Sequence, residues 1–165
     1  MFSLVLDGTV CPINHPIDDS IQHAAYSGKH KIHSIKYEIR VHPVTGLLVW
    51  IGGLVYGSMH DMKLMYLGQI LKGLFPSEFI LGDMGYIGNW RIITPFKNPR
   101  NLQEKILNAL LSARRWIVEH VLARFKTFRV LSTRWRHDIQ LHGFVFFVLA
   151  EIINIDMMYC PVHQQ

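Results

Sequence analysis

The stretch Ser112-Ala-Arg-Arg-Trp-Ile-Val-Glu-His-Val-Leu-Ala-Arg-Phe-Lys126 carries an acid that its apolar pattern does not require. Ile117, Val121 and Phe128 recur at i, i+4 and i+11, which is the spacing of one buried helix face. A second stripe lies roughly opposite and consists of Arg115, Glu119, Leu122 and Lys126. Because Glu119 stands between two bases on a stripe that packing does not need, we expect it to face a functional partner from elsewhere in the chain.

Composition predicts one globular domain with an anionic partner. The chain has 165 residues, of which 50% are hydrophobic and 18% charged, a globular composition. Its net charge of +5 favours a polyanion, nucleic acid ahead of a membrane. Cys11 and Cys160 form no disulfide framework or zinc motif, which is typical of a reducing compartment. The longest apolar run, Phe144–Ala150, is shorter than the ~20 residues of a membrane span.

The hydrophobic pattern along the chain predicts a mixed α/β fold. Strands are expected at 2–6, 29–42, 47–56, 79–81 and 92–96, the third of them central because it is very apolar. Residues 11–28 have the composition of a loop, and helices are expected at about 58–72, 102–130 and 138–157. This order indicates one sheet of about five strands with helices on both faces, in a single domain spanning residues 1–165.

Three acids besides Glu119 lie just after a predicted strand or in the first turn of a predicted helix. Asp7 and Asp83 each come directly after an apolar strand and before or between glycines, and Asp61 lies in the first turn of a helix capped by Ser58. Asp7 is also compatible with an ordinary Asp-Gly turn, and Asp61 with a first-turn acid favoured by the helix dipole. Clustered carboxylates repel one another unless a hard cation binds among them, and oxygen ligands suit magnesium or manganese.

Five ordered motifs resemble the catalytic domain of Harbinger/PIF-type transposases and the related bacterial insertion-sequence transposases. They are Asp-Gly-Thr, Gly-Ser-Met-His-Asp, Gly-Asp-Met-Gly-Tyr-Ile-Gly, Ile-Ile-Thr-Pro-Phe-Lys and Arg-Trp-Ile-Val-Glu-His. The resemblance implies a ribonuclease-H-like fold of the DDE group, whose three acids hold two Mg²⁺ or Mn²⁺ ions. Carried over by motif, Asp7, Asp83 and Glu119 are the catalytic acids. Asp61 matches a further family acid, which would bind metal or support the metal ligands.

The same resemblance suggests roles for several cations. Related insertion-sequence enzymes carry Tyr, Arg, Glu and Lys at a fixed spacing that Arg115, Glu119 and Lys126 match, whereas Ser112 replaces the tyrosine. Arg115 and Lys126 would contact DNA phosphates, or alternatively form ion pairs with Glu119 on a solvated face. Three further cations alternate on one face of the second predicted strand and would approach the DNA, unless they are ordinary surface residues: Lys29, Lys31 and His33.

The implied activity is that of a transposase core. Water would hydrolyse a phosphodiester bond at a transposon end, and the freed 3′-hydroxyl would attack target DNA. Family members usually carry an N-terminal helix-turn-helix that binds the transposon ends, and six residues before Asp7 leave no room for it. We therefore expect a homodimer, or a separate helix-turn-helix protein or region, to supply end binding.

The alternative is a truncated or domesticated transposase that keeps the fold as a DNA-binding or interaction module without catalysis. We expect no membrane association and a location in the cytoplasm or nucleoid, or in the nucleus of a eukaryotic host.

Overall fold

The computed structural model describes residues 2–161, so the first residue and the last four of the predicted domain lie outside the description. The strands are β1 (Phe2–Pro12), β2 (Tyr26–Ser27), β3 (Ile32–Val41), β4 (Leu48–Tyr56), β5 (Phe79–Leu81) and β6 (Ile92–Ile93). The helices are α1 (Asp19–Ala25), α2 (Asp61–Leu67), α3 (Leu102–Thr127), α4 (Arg129–Ser132) and α5 (Ile139–Tyr159). Two short helical turns, Ile70–Lys72 and Met84–Tyr86, precede and follow β5.

One mixed sheet of six strands organises the described chain. Its order is β2-β3-β1-β5-β6, and β4 pairs with β3 as well. The pairs β1–β3 and β3–β4 are antiparallel, whereas β1–β5 and β5–β6 are parallel. The parallel register joins Val5 to Leu81. Asp7 and Asp83 therefore both lie two residues beyond the last pair of β1 and β5, which brings the two acids to the same edge.

Helices cover both faces of the sheet, as the sequence predicts. On one face, α3 and α5 pack over β1 and β3, with buried Ile117, Val121 and Phe125 from α3. On the other, α2 and the turn Met84–Tyr86 cover Leu6 and contribute Met65 and Tyr86 to a smaller core. The inner residues of α3 follow from its apolar spacing, because positions three or four apart share one helix face.

The polar face of β3 is buried instead of wet. The alternation of 29–42 predicts that Lys36, Glu38 and Arg40 face solvent, yet the Glu38 and Arg40 side chains are 1% and 0% exposed. They form an ion pair with an Nη2–Oε1 distance of 2.5 Å. The sequence alternation locates the face correctly, but it cannot show that α2 folds over it.

Burial gives Glu38 a pH-dependent effect on stability. Burial raises its pKa to about 6, although Arg40 lowers it. An acid whose pKa is higher in the folded state binds more protons there, so its contribution falls as the pH rises from about 4.5 to 6. We expect Glu38→Gln to remove this part of the pH dependence of the free energy of unfolding, measured by urea denaturation at pH 4.5 to 7. An unchanged pH profile would contradict the assignment.

Several predicted elements differ from those observed. The very apolar β4 is an edge strand and not a central one: it pairs with β3 alone, and Trp50 is 43% exposed. The predicted loop at 11–28 contains α1 and β2, with Asp18 as the N-cap of α1. The helix predicted from Ser58 begins at Asp61 and is capped by His60. Local composition thus missed the type of the 11–28 segment, the place of β4 in the sheet and the first residue of α2.

Helix α5 extends well beyond the apolar run Phe144–Ala150 on both sides. By length and composition it could cross a membrane, with a mean hydropathy of 1.6 over 18 residues, contrary to the expectation from Phe144–Ala150 alone. Its inner side carries buried His142, Phe146 and Ile153 into the main core. The His142 Nδ1 lies 2.8 Å from the Tyr37 hydroxyl, which joins α5 to the centre of β3. The inner side of α5 is therefore part of the core, whereas only 33% of its apolar window is buried.

Candidate active site

Asp7 and Asp83 lie at the edge where β5 ends. The sequence suggested that Asp7 lies at the end of its strand, but β1 continues past it to Pro12 beside β3. What ends there is its parallel partner β5, and Asp83 follows as the N-cap of the turn Met84–Tyr86. The Asp83 Oδ1 accepts a hydrogen bond of 2.8 Å from the Gly85 amide. The Asp7 Oδ1 accepts one of 2.7 Å from the Gly8 amide.

Asp61 joins these two acids from α2. One recess, which we call the acid recess, is lined by all three together with cationic and imidazole side chains: Asp7, Asp61, Asp83, Lys29, Lys36 and His60. Two glycines allow the close approach. A Cβ on Gly8 would lie 3.2 Å from the Asp61 Oδ1, and one on Gly85 would lie 2.6 Å from the Asp61 Oδ2 and 2.9 Å from the Asp83 Oδ1.

Helix α3 brings Arg115 and Glu119 to the same edge. The Arg115 Nη2 lies 3.1 Å from the Asp7 Oδ2 and 3.9 Å from the Glu119 Oε1. Arg115 therefore bridges β1 and the helix acid. The Glu119 side chain is 60% exposed, so it stands at the rim of the cluster and reaches Asp7 through the guanidinium.

Two residues of this region were missed by sequence reasoning. The Lys36 Nζ lies 2.6 Å from the Asp61 Oδ1 and donates to the Met59 carbonyl at 3.0 Å. Tyr86 is fully buried, and a Cβ on Gly8 would lie 3.6 Å from its hydroxyl. Lys36 could have been suspected from its place on the strand that pairs with β1, but no local signal marked it as different from its neighbours.

Burial and neighbouring acids both affect the pKa of Asp7. Burial raises its pKa, and the charges of Asp83 and Glu119 raise it further. Arg115 and the Gly8 amide oppose this and lower it, but the net direction is upward. Like charges that destabilise one another in this way favour the binding of a cation among them.

The residues present fit a hydrated divalent cation in their chemistry. All four acids offer only oxygen, the ligand type that magnesium and manganese prefer. The buried Tyr86 hydroxyl and the Arg115 Nε have no hydrogen-bond partner among residues 2–161, so the region holds polar atoms that water can satisfy. In the same residues no three His, Cys, Asp or Glu side chains form a group that could hold an ion directly. Magnesium commonly keeps several waters and takes one or two carboxylates.

The remaining predicted cations occupy different places. Lys126 is turned inward: its Nζ donates to the Val10 carbonyl at 2.5 Å and to the Leu131 carbonyl at 3.4 Å. Lys29 and Lys31 do not lie on a strand as expected, because β3 begins at Ile32 and both belong to the preceding turn. Lys29 lines the acid recess, whereas Lys31 and His33 line a separate groove.

Gly85 provides a test of the close approach. We expect Gly85→Ala to displace Asp61 or Asp83 and to destabilise the fold by about 1–3 kcal/mol, as overpacking does. Gly28→Ala is the matched control, since Gly28 also lines the recess but a Cβ there would meet nothing within 4 Å. Urea denaturation and Mn²⁺ affinity measure both effects. Equal behaviour of the two variants would contradict the described packing.

Comparisons with known proteins identify the family of the chain. The family model for the DDE superfamily endonuclease matches residues 6–154, nearly the whole chain. The chain is 30% identical over 164 residues to a protein described as the probable transposase for insertion sequence element IS702, from Microchaete diplosiphon. The alignment covers 93% of this chain and 57% of that relative, so the chain spans little more than half its length. No solved structure matches the chain. The predicted family is confirmed: the chain belongs to the DDE superfamily endonucleases.

Proposed function

We propose that the chain is the catalytic core of a DNA transposase, which hydrolyses a phosphodiester bond at a transposon end and transfers the strand. The observation that supports this most is the convergence of Asp7, Asp61 and Asp83 on one recess. Glu119 reaches the same edge through Arg115. These acids come from four separate elements, β1, α2, the turn after β5, and α3, and packing alone does not require them to meet.

In the proposed reaction, Asp7, Asp83 and Glu119 would hold two Mg²⁺ or Mn²⁺ ions, with Asp61 as an additional ligand or support. When bound, such ions activate a water or hydroxyl nucleophile and stabilise the leaving oxygen. The chain's own residues orient the acids. Arg115 fixes one oxygen of Asp7 and the Gly8 amide fixes the other, while Lys36 holds Asp61. Lys29 lies on the recess wall, where its charge would attract the DNA phosphate.

The proposal extends to fold, partners and location. Mixed strand order and helices on both faces support a ribonuclease-H-like fold. Recognition of the transposon ends would need a homodimer or a helix-turn-helix protein or region, because none of the described residues is assigned that role. The protein would act where the DNA is: the cytoplasm or nucleoid of a prokaryote, or the nucleus of a eukaryote.

DNA cleavage assays test the proposal. The chain is incubated with DNA carrying the ends of its element, or with supercoiled plasmid, while Mg²⁺ or Mn²⁺ is varied. We expect nicking that requires the cation and stops on chelation. No cleavage under any cation, with DNA binding intact, would contradict the proposed activity.

A second candidate is a family member that keeps the fold as a DNA-binding or interaction module without catalysis. Its specific support is that Asp7 and Asp61 are already ion-paired, with Arg115 and Lys36. Those pairs would have to loosen for the acids to ligate a cation. Binding of DNA that is independent of divalent cations, without cleavage, would favour this candidate.

A further inference from the structure

The β2–β3 hairpin separates two grooves of different chemistry. Its turn residues Gly28 and Lys29 line the acid recess. On the other side, Lys31 and His33 line a second groove with His15 and Arg134. The hairpin is thus a wall shared by the two grooves, and a DNA strand that crossed it would contact both.

The second groove concentrates positive charge without neutralising acids. Among the described residues, Lys31, His15, His33 and Arg134 have no acidic partner within ion-pair distance. Partial burial lowers the pKa of His33, and the charges of His15 and Arg134 lower it further. A lowered pKa leaves His33 mostly uncharged at neutral pH, so Lys31 and Arg134 supply the positive charge of the groove, which an anion bound between them would stabilise.

The groove is fixed in shape by backbone contacts. The Trp135 amide donates to the Pro12 carbonyl at 2.9 Å, and the Asn14 amide donates to the Trp135 carbonyl at 3.0 Å. These bonds tie the segment that carries Arg134 to the end of β1. On the facing wall, the Lys31 amide donates to the Ser27 carbonyl at 2.8 Å, which closes the hairpin turn. Both walls are thus held without a ligand.

A row of aromatic rings runs beside these cations. The His15 and His33 rings are 4.3 Å apart, and the Tyr26 and His33 rings are 5.5 Å apart. Tyr26 is 42% exposed. Exposed rings next to a cationic groove are typical of sites for unpaired nucleic acid, because bases stack on the rings while the phosphates meet the cations.

We propose that this second groove binds the single-stranded DNA that continues from the acid recess, with Lys31 and Arg134 on its phosphates and Tyr26 against a base. The inference rests on the proposed function, since it supplies that site with the path of its substrate. It adds His15, Arg134 and Tyr26 to the residues proposed to bind DNA, and it places Lys29 in the acid recess and Lys31 and His33 in the second groove.

Fluorescence anisotropy with a labelled single-stranded oligonucleotide, in a salt series without divalent cations, tests the groove. The variant Lys31→Ala/Arg134→Ala is compared with Lys72→Ala/Lys105→Ala, which removes the same charge from residues that line neither groove. We expect the groove variant to bind roughly tenfold or more weakly and its salt slope to fall by about 1.4, at ~0.7 per phosphate contact. We expect Tyr26→Ala to weaken single-strand binding more than duplex binding.

Three results would overturn the inference: no single-strand binding by the unaltered chain, equal losses in the groove and control variants, or a Tyr26→Ala loss that is as large on duplex as on single strand. Asp83→Asn keeps this test separate from the proposed function. We expect it to lose cation binding at the acid recess without weakening single-strand binding. If the unaltered chain binds no cation but the groove variant still loses DNA, the proposed catalysis fails and the groove stands.

Discussion

Replacing Asp83 with asparagine is expected to lower cation-dependent DNA cleavage by roughly 10³-fold or more, about 4 kcal/mol of transition-state stabilisation. The change removes one negative charge from the acid recess and leaves the shape of the side chain nearly unaltered. The asparagine oxygen can still accept the hydrogen bond that the Gly85 amide now donates to the Asp83 Oδ1. The loss should therefore appear in the rate and not in the free energy of unfolding.

Asp19→Asn is the matched control for this substitution. Asp19 is an exposed acid in the first turn of α1 and lies outside the acid recess. Single-turnover cleavage in Mg²⁺, with DNA affinity measured in parallel, separates chemistry from binding. If Asp83→Asn cleaves DNA at the rate of the control, Asp83 is not a catalytic residue.

Arg40→Met is expected to destabilise the protein by about 3–5 kcal/mol, because it leaves the Glu38 charge buried and unpaired. The Glu38 and Arg40 side chains are almost completely buried, with the Arg40 guanidinium 5.5 Å from the Trp50 ring centre. Because burial already raises the pKa of Glu38 to about 6, the destabilisation should be smaller at pH 5, where the carboxyl takes up a proton. Urea denaturation at pH 5 and pH 7.5 measures both values.

Two further variants decide whether the buried charge is the cause. Glu38→Leu/Arg40→Met removes both partners and should recover most of the lost stability, since paired charges can often be replaced by apolar side chains at little cost. Arg124→Met removes the partly buried partner of the exposed Asp156, and since this pair lies at the surface it should cost about 1 kcal/mol or less. If the double variant is as unstable as Arg40→Met, the loss of stability comes from packing around Trp50 and not from the buried charge.

The sequence was informative where periodicity and order along the chain decide the outcome. The spacing of Ile117 and Val121 predicted the buried face of α3, and both are buried. Asp7 and Asp83 were each expected after an apolar strand, and the register of β1 with β5 places both at one sheet edge, although β1 itself continues past Asp7. This convergence depends on the pairing of β1 with β5, whereas the sequence alone indicates only that each acid follows an apolar run.

The rest depended on contacts between distant segments. Lys36, Glu38 and Arg40 alternate as a wet strand face would, and only the packing of α2 and Tyr86 over β3 reveals that they are buried or partly buried. Lys126 matched a family spacing, yet its ammonium is turned to the backbone of Val10. The apolar run of β4 resembled a central strand because both α5 and α2 contact it, although it pairs with β3 alone.

The central claim, that Asp7 and Asp83 form one cation site, is tested most directly by Mn²⁺ binding followed by electron paramagnetic resonance. The unaltered chain should bind Mn²⁺ saturably. Asp7→Asn and Asp83→Asn should each lower the affinity at least tenfold, a difference of about 1.4 kcal/mol, whereas Asp19→Asn should not change it. Absence of saturable binding, or equal affinity in all four proteins, would contradict the claim.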